Sequence, residues 1–262
     1  MKKSPSHADF PSHLTLTITP PPQSQPPTET ETTTNAPPNI LLLLHGLGDT
    51  AIPFTSFARA LNLPETTILT IQAPHPLPFD LPGVHWGDDL TLETSSSGLD
   101  MDGGFTRATR VLLHEVILAV LVRKCGYALS EILVFGFGQG GMVGLCLARE
   151  VSLSSSGPPG GAGDLSGVVS IGAPYPLSAR TSGRKSRTPV LLVGGRDDGS
   201  SAVSDSALRR TKEVFEFVEM QRYHRRGDGM PRNRDEMLPV MRFLATRLRS
   251  WRGVPPGSVE IT

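Results

Sequence analysis

The sequence of 262 residues has little of what marks secreted, membrane-spanning or nucleic-acid-binding proteins. Its two cysteines, Cys125 and Cys146, provide no disulfide framework, which is typical of a reducing compartment. Basic and acidic side chains are balanced, with 25 of each, so we expect no bulk attraction to nucleic acid or to an anionic membrane. The apolar run at 40–44 is far too short to span a bilayer.

The beginning of the chain also lacks the pattern of a secretory signal. The first five residues, MKKSP, are not followed by an apolar segment of the kind that a signal peptide needs. Together these absences predict a soluble intracellular protein, located in the cytoplasm or in both the cytoplasm and the nucleus.

The apolar pattern predicts a domain in which strands and helices alternate. Residues 14–19 alternate apolar and polar side chains, as a half-exposed edge strand does. Uninterrupted apolar runs predict strands buried on both faces at 40–44, 67–71, 132–135, 168–171 and 190–193. Helical spacing at 105–124 and near the C-terminus completes the pattern. We therefore expect an α/β fold with a mainly parallel sheet, helices on both faces and an antiparallel N-terminal edge strand.

Composition sets the expected boundaries of this domain. Residues 1–13 are predicted to be disordered, and a single domain is predicted over 14–252. The Pro- and Thr-rich stretch 20–38 cannot build a core, so we expect a flexible connection there. Residues 253–262 are expected to form a C-terminal tail.

A glycine-rich turn at 136–141 separates a strand-like run from an apolar helix-like run. This is the setting of the nucleophile elbow, G-x-S-x-G, which has serine at its tip. Here the tip is Gly138, which has no side chain to attack a substrate. The same letters spell G-x-G-x-x-G, the dinucleotide-binding fingerprint, because both motifs need glycine where a sharp turn meets a helix.

Two motifs carry a resemblance to a known family. The segment HGLGDT at 45–50 follows the first buried strand. Together with GFGQGG at 136–141, it resembles the acyl-protein thioesterases and small carboxylesterases, the phospholipase/carboxylesterase family of α/β-hydrolases. Trp86, the segment 189–198 and the final helix match in the expected order.

The resemblance implies a fold, a site and the absence of a cofactor. It implies an α/β-hydrolase fold and an oxyanion hole formed by the main-chain N–H groups of Leu47 and Gln139. Such donors stabilise the charge that develops on a carbonyl oxygen during acyl transfer. His45 and Trp86 are expected beside the pocket, with His45 bracing the oxyanion turn.

Two members of the catalytic triad are missing by the same alignment. The triad is expected in the order Ser, Asp, His. Asp198 matches the acid, but Gly138 stands at the nucleophile position and Met230 stands at the position of the base. Without a hydroxyl no acyl-enzyme can form, and without an imidazole no base is available to activate a water molecule.

The sequence therefore favours a pseudo-hydrolase that binds an acyl-like small molecule or an acylated protein. The alternative is a weakly active or unconventional ester or thioester hydrolase. Cys146 is a nucleophile candidate in that case, although its apolar helix predicts a packed, inert thiol. His224 is a candidate base, although a surface or loop position is the simpler interpretation.

Two other site classes are disfavoured by the residues around the motifs. Dinucleotide binding, the remote alternative, needs an acidic residue near the end of the next strand, and none follows 168–171. No metal site is expected, since neither histidines nor a third carboxylate accompany Asp49, Asp197 and Asp198 at ligand spacing.

Overall fold

The computed structural model describes residues 2–22, 36–90, 100–154 and 163–250. Within these ranges lie nine strands: β1 (Leu16–Thr19), β2 (Asn39–Leu44), β3 (Thr66–Ile71), β4 (His75–Pro76), β5 (Val84–His85), β6 (Ile132–Phe137), β7 (Gly167–Ile171), β8 (Val190–Gly194) and β9 (Val218–Arg222). The same ranges contain five α-helices: α1 (Ala51–Leu61), α2 (Thr106–Val111), α3 (Gln139–Ser154), α4 (Asp205–Val214) and α5 (Arg234–Arg247).

Seven strands form one sheet in the order β1-β3-β2-β6-β7-β8-β9, and β4 pairs with β5 in a separate ribbon. The edge strand β1 runs antiparallel to β3, and every other neighbouring pair in the large sheet is parallel. This confirms the predicted α/β architecture. Leu44 is in register with Ile71 on one side and Gly136 on the other, so the turns after β2 and β6 lie side by side.

Two apolar cores cover the two faces of the sheet. The alternating side chains of β2 divide between them: Leu42 and Leu44 face the core under α2 and α3, whereas Leu41 and Leu43 face the core under α1 and α5. Strands buried on both faces have apolar residues at every position, which explains the uninterrupted LLLL run of β2.

Local sequence signals fix where the flanking helices begin and end. The Oγ of Ser204 accepts from the N–H of Ala207 at the start of α4, and Oδ1 of Asn233 accepts from the N–H of Glu236 at the start of α5. Helix α1 ends at Asn62, whose φ of +47° is left-handed. These helices begin after loops at the carboxyl edge of the sheet and lead the chain back to its amino edge.

The helix predicted over 105–124 has two parts. Helix α2 continues directly into π-helical turns over Leu112–Lys124. Its polar stripe of Arg107, Arg110 and His114 is exposed, while the opposite side enters the larger core. A π-helical stretch widens the turn, and such stretches are often found beside functional sites.

The prediction of a disordered N-terminus was wrong for residues 2–13. Phe10 is buried in the larger core, and Nζ of Lys2 contacts Oε1 of Glu131 at 2.6 Å. The N–H of Lys3 donates to the carbonyl oxygen of Cys125 at 3.0 Å. The polar composition of this segment suggested disorder. It did not reveal that Phe10 is buried in the core or that Lys2 and Lys3 form these contacts.

Some predicted segments lie outside the described residues. These are most of the Pro- and Thr-rich connection, at 23–35, and the tail at 253–262. The boundary of the domain at 252 therefore stays a prediction.

Candidate active site

Gly138 forms the tip of a sharp turn between β6 and α3. Its φ is +52°, in the left-handed region that favours glycine. Its N–H donates to the carbonyl oxygen of Ile171 at 2.9 Å, and its own carbonyl accepts from the N–H groups of Gly141 and Met142. The strand, turn and helix have the arrangement of a nucleophile elbow, which holds a catalytic serine in a strained conformation.

The other glycines of the turn are required by packing. A Cβ at residue 140 would lie 2.2 Å from the carbonyl oxygen of Leu44, and a Cβ at residue 136 would lie 2.3 Å from that of Gly140. A Cβ on Gly141 would lie 2.3 Å from Oγ of Ser170. Only glycine allows α3 to lie this close to β2 and β7. Close helix–sheet packing accounts for the glycine spacing without a nucleotide phosphate.

Position 138 differs from these glycines because a side chain fits there. A Cβ on Gly138 would lie 3.5 Å from Cε of Met101 and 3.7 Å from Cα of Gly46, both ordinary van der Waals distances. The space where the Cβ of a nucleophile would stand is therefore open, and Met101 forms its far wall.

The turn after β2, residues 45–50, where the sequence predicts part of an oxyanion hole (the oxyanion turn), lies next to this elbow. The N–H of Gly48 donates to the carbonyl oxygen of Val84 at 3.0 Å, and the N–H of Val84 donates to that of Asp49 at 3.2 Å. By contrast, the N–H groups of Leu47 and Gln139 donate to no acceptor in the described part of the chain. An amide in a turn and an amide at a helix start thus stay available for an oxygen atom of a ligand.

The side chain of Gln139 ties three segments together below these amides. Its Oε1 accepts from the main-chain N–H of Trp86 at 3.0 Å, and its Nε2 donates to the carbonyl oxygen of Met101 at 3.1 Å. The indole Nε1 of Trp86 donates to the carbonyl oxygen of His45 at 2.8 Å. These bonds fix the relative positions of the oxyanion turn, the elbow and the Met101 wall.

His45 is fully buried, and both of its ring nitrogens are occupied. Nδ1 donates to the carbonyl oxygen of Gly46 at 2.8 Å, and Nε2 accepts from the N–H of Ala73 at 3.0 Å. These partners require the neutral tautomer that carries its proton on Nδ1. Burial lowers the pKa of His45 below its ordinary value. The ring can brace the turn, but it has no free nitrogen with which to accept a proton.

Asp198 follows β8, and its carboxylate is half-exposed. Oδ1 accepts from Nη2 of Arg222 at 2.9 Å, and Oδ2 accepts from the N–H of Asp205 at 3.0 Å. Its partners thus belong to β9 and to the start of α4. In the described chain the carboxylate therefore accepts from a surface ion-pair partner and from the start of α4.

Met230 lies in the loop after β9, also at the carboxyl edge. Its side chain packs against the core under α1 and α5, as does that of Phe137 beside the elbow. Its carbonyl oxygen accepts from Nη2 of Arg225 at 3.2 Å, and Nε of Arg225 donates to Oε1 of Glu236 at 3.0 Å. This thioether side chain fills apolar space and offers no group that can take a proton from an attacking hydroxyl.

Sequence reasoning missed Asp228, the most highly bonded acid of this edge. Its Oδ1 accepts from the N–H of Gly195 and from Oγ of Ser201, and its Oδ2 accepts from the N–H of Ala202, each at 2.7 Å. A Cβ on Gly172 would lie 2.7 Å from Cβ of Asp228, so this glycine leaves room for the aspartate. The available signal was an acidic residue two positions before Met230, flanked by glycines in RGDGM.

None of the other candidate groups in the described chain stands as an available nucleophile or base. Burial raises the pKa of the Cys146 thiol well above its ordinary range, so the reactive thiolate is disfavoured. His224 is exposed and lines a separate cavity of about 250 Å³ between β9 and α5. His85 is buried, and desolvation and the neighbouring His75 lower its pKa. The serines at Ser95, Ser96 and Ser97 lie outside the described residues.

Neither a metal cluster nor a membrane span is found in the parts of the chain that the structure describes. No three His, Cys, Asp or Glu side chains are grouped there so that they could hold a metal ion. No helix in those same parts has the length and apolar character needed to cross a bilayer.

Comparison with known proteins assigns the family. The family model described as phospholipase/carboxylesterase matches residues 27–247. The chain belongs to the phospholipase/carboxylesterase family. Among curated relatives of this hydrolase family, an uncharacterized hydrolase of Schizosaccharomyces pombe is 30% identical over 69% of this chain and 72% of its own length. One from Mycosarcoma maydis is 36% identical, over 59% of this chain and about half (55%) of its own length.

Solved structures share the α/β-hydrolase fold with this chain. Esterase PE8 superposes with a TM-score of 0.65 at 19% identity, covering 90% of this chain and 99% of its own. Zea mays acyl-protein thioesterase 2 gives a TM-score of 0.59 at 19% identity with the same coverage. A Bacillus cereus carboxylesterase gives 0.58 at 15% identity, over 90% and 96% of the two chains.

Proposed function

We propose that this protein is a pseudo-hydrolase that binds an acyl-like small molecule or an acylated protein at the carboxyl edge of its sheet. The observation that carries the proposal is the contrast at the elbow. The main-chain N–H groups of Leu47 and Gln139 donate to no acceptor in the described chain. The residue at the tip of the elbow, however, is Gly138, which has no side chain to fill the space in front of Met101.

The retained amides support binding of a carbonyl group. In an active acyl-transfer enzyme, two such N–H groups stabilise the oxyanion of the intermediate, and losing one donor costs about 2.7–4 kcal/mol of that stabilisation. In this chain they can donate to the carbonyl oxygen of an intact ester, thioester or amide. Covalent attack does not follow, because the residue at the tip is Gly138 and burial disfavours the thiolate of Cys146.

The first experiment measures turnover and covalent labelling of the full chain. We expect no labelling by a fluorophosphonate probe and no turnover of p-nitrophenyl butyrate above a Gly138→Ala control. Turnover that is abolished by Cys146→Ala would instead support an unconventional hydrolase, and would overturn the proposal.

Restoring a serine and a histidine at the predicted triad positions tests whether the rest of the site is intact. The variant Gly138→Ser/Met230→His is expected to react with the probe, whereas Gly138→Ser and Gly138→Ala/Met230→His are expected not to react. If the double variant folds and stays unlabelled, the assignment of Met230 to the base position is refuted. The inference that the rest of the site is intact is then refuted as well.

Binding is tested separately with a defined acyl compound, S-octanoyl-N-acetylcysteamine. In ¹⁵N–¹H spectra, the amide signals of Leu47 and Gln139 should move on titration, while that of the remote Gly163 should not. Mass spectrometry should show the thioester intact. Unchanged signals at both amides under saturating probe would contradict a role in carbonyl binding.

A further inference from the structure

A second cavity, of about 560 Å³, lies apart from the elbow. Its walls come from α2 and the π-helical turns, from the second half of α3 and from the loop at 175–182. Cys146, the wall residue of α3 nearest in sequence to Gly138, follows it by eight positions, which is about 12 Å along a helix. The size is in the range of pockets that hold small organic ligands, about 300–1,000 Å³.

The cavity has a buried positive charge without a carboxylate partner. Arg149 is 2% exposed, and its guanidinium donates to the carbonyl oxygens of Arg184 and, at 2.9 Å, Ser182. It forms no ion pair with any described residue. Buried charges in proteins are normally paired, since desolvating an isolated ion costs several kcal/mol. Carbonyl dipoles compensate this charge in part, and an anion would complete the compensation.

Two more arginines of the wall are also without acidic partners. Arg110 and Arg180 are exposed at the cavity, and neither is ion-paired within the described ranges. Glu150 supplies the one carboxylate among the described wall residues. Arg110, Arg149 and Arg180 thus stand against Glu150 alone, so the net charge of the wall favours an anionic ligand.

A buried hydroxyl and an apolar surface complete the wall. Thr109 is 4% exposed, and its Oγ1 has no hydrogen-bond partner in the described chain. Threonine in a helix has two accessible χ1 rotamers, so this hydroxyl can turn towards a ligand. Phe105 and Leu113 supply buried apolar surface, and Leu153 is an exposed apolar side chain on the same wall.

We propose that this cavity binds an amphipathic oxyanion: a phosphate or carboxylate group carried on an apolar body of about eight carbons. The arginines contact the anionic group, and the apolar wall contacts the body. Such a ligand matches the net positive charge of the wall, the volume of the cavity and its apolar surface. The proposal is independent of the function proposed for the elbow.

Calorimetric titration of the full-length protein tests the proposal. Octyl phosphate and octanoate are the two probes, and their relative affinity distinguishes phosphate from carboxylate recognition. Octanol and octyltrimethylammonium are the matched neutral and cationic compounds, and inorganic phosphate reports the contribution of the head group alone. We expect at least one octyl anion to bind more than tenfold more tightly than any of these three controls.

Variants place the binding in this cavity. Arg110→Gln/Arg180→Gln should weaken binding of the preferred anion by at least tenfold, which is about 1.4 kcal/mol. Thr109→Val, which keeps the side-chain shape, should weaken it by about threefold. Arg107→Gln removes an exposed arginine of the same helix that does not line the cavity. The affinity of this variant for the preferred anion should therefore stay within twofold of the wild type.

Salt dependence keeps the test decisive if the double variant is unstable. Affinity of the wild type for the octyl anion should fall as sodium chloride rises from 50 to 500 mM, about tenfold. Binding that is unaffected by salt, equal for anion and cation, or unchanged in Arg110→Gln/Arg180→Gln refutes the proposal. Failure of both octyl anions to bind refutes it as well.

Discussion

The carboxylate of Asp228 accepts a hydrogen bond from the main-chain N–H of Gly195 at 2.7 Å. This bond joins the loop after β9 to the loop after β8, the two loops that would carry a catalytic base and acid. Further bonds to Ser201 and Ala202 strengthen the link. The carboxyl edge is thus held together by a carboxylate that the sequence alignment does not assign to the triad.

This relationship predicts that Asp228 is important for stability and that Asp198 is not. Asp228→Ala leaves three donors without their acceptor, so we expect a loss of about 2–3 kcal/mol in the free energy of unfolding. Asp198→Ala removes half-exposed contacts and should cost less than about 1 kcal/mol. Urea unfolding of both variants checks the difference. Equal losses would contradict the structural role given to Asp228.

The glycines of the elbow should respond differently to alanine. Gly138→Ala introduces a left-handed conformation at a non-glycine residue, which costs about 1–2 kcal/mol, but it meets no close atom. Gly140→Ala pushes a Cβ onto the carbonyl oxygen of Leu44 and should cost at least about 3 kcal/mol. Gly163→Ala, whose Cβ would lie within 4 Å of no described atom, is the control and should stay within about 0.5 kcal/mol of the wild type. Thermal and urea unfolding rank the three variants, and a different order would refute the packing explanation.

Stability should decrease as the pH falls below about 6.5, in part because of His45. The unfolded chain binds a proton at a histidine near pH 6.5. The folded chain takes up this proton only at a lower pH, because burial lowers the pKa of His45. The unfolded state therefore holds more protons between the lowered pKa and 6.5, and the free energy of unfolding falls with pH across that window.

Each unit by which the pKa of His45 is lowered is worth about 1.4 kcal/mol at the acidic end of the window. Urea unfolding at pH 7.5 and 5.5 measures this loss. His45→Gln, whose amide can donate and accept, should lose less stability than the wild type between the two values. If the free energy of unfolding of His45→Gln falls as much as that of the wild type between pH 7.5 and 5.5, the pH dependence comes from other groups.

The N-terminal segment should contribute to the stability of the domain. Phe10→Ala removes a buried aromatic side chain from the larger core and should cost about 3 kcal/mol. His7→Ala, three residues earlier and exposed, should cost less than about 0.5 kcal/mol. If both variants unfold like the wild type, the segment does not pack on the core in solution.

Apolar patterns predicted six of the seven strands of the large sheet because those signals are local, whereas β9 has no apolar run and was not among them. The run at 40–44 becomes the buried strand β2, and the turn at 136–141 becomes the junction of β6 and α3. Leu47 and Gln139 were assigned from the same two motifs.

Contacts between distant segments could not be read in this way. The partners of Asp228 lie 26 to 33 residues earlier, and no periodicity links them to it. Met101 follows a polar stretch of sequence, and only the fold brings its Cε to the tip of the elbow. Phe10 is a lone apolar residue among polar ones, which a composition-based prediction cannot distinguish from an exposed side chain.

The spacing of the elbow glycines has an evolutionary consequence. Positions 136, 140 and 141 cannot accept a side chain while α3 lies against the sheet, whereas position 138 can. A lineage can therefore lose or regain a nucleophile at this turn by a single substitution, with the architecture unchanged. Retention of the turn in a descendant is then a consequence of how the helix packs, and it carries no information about whether catalysis is still under selection.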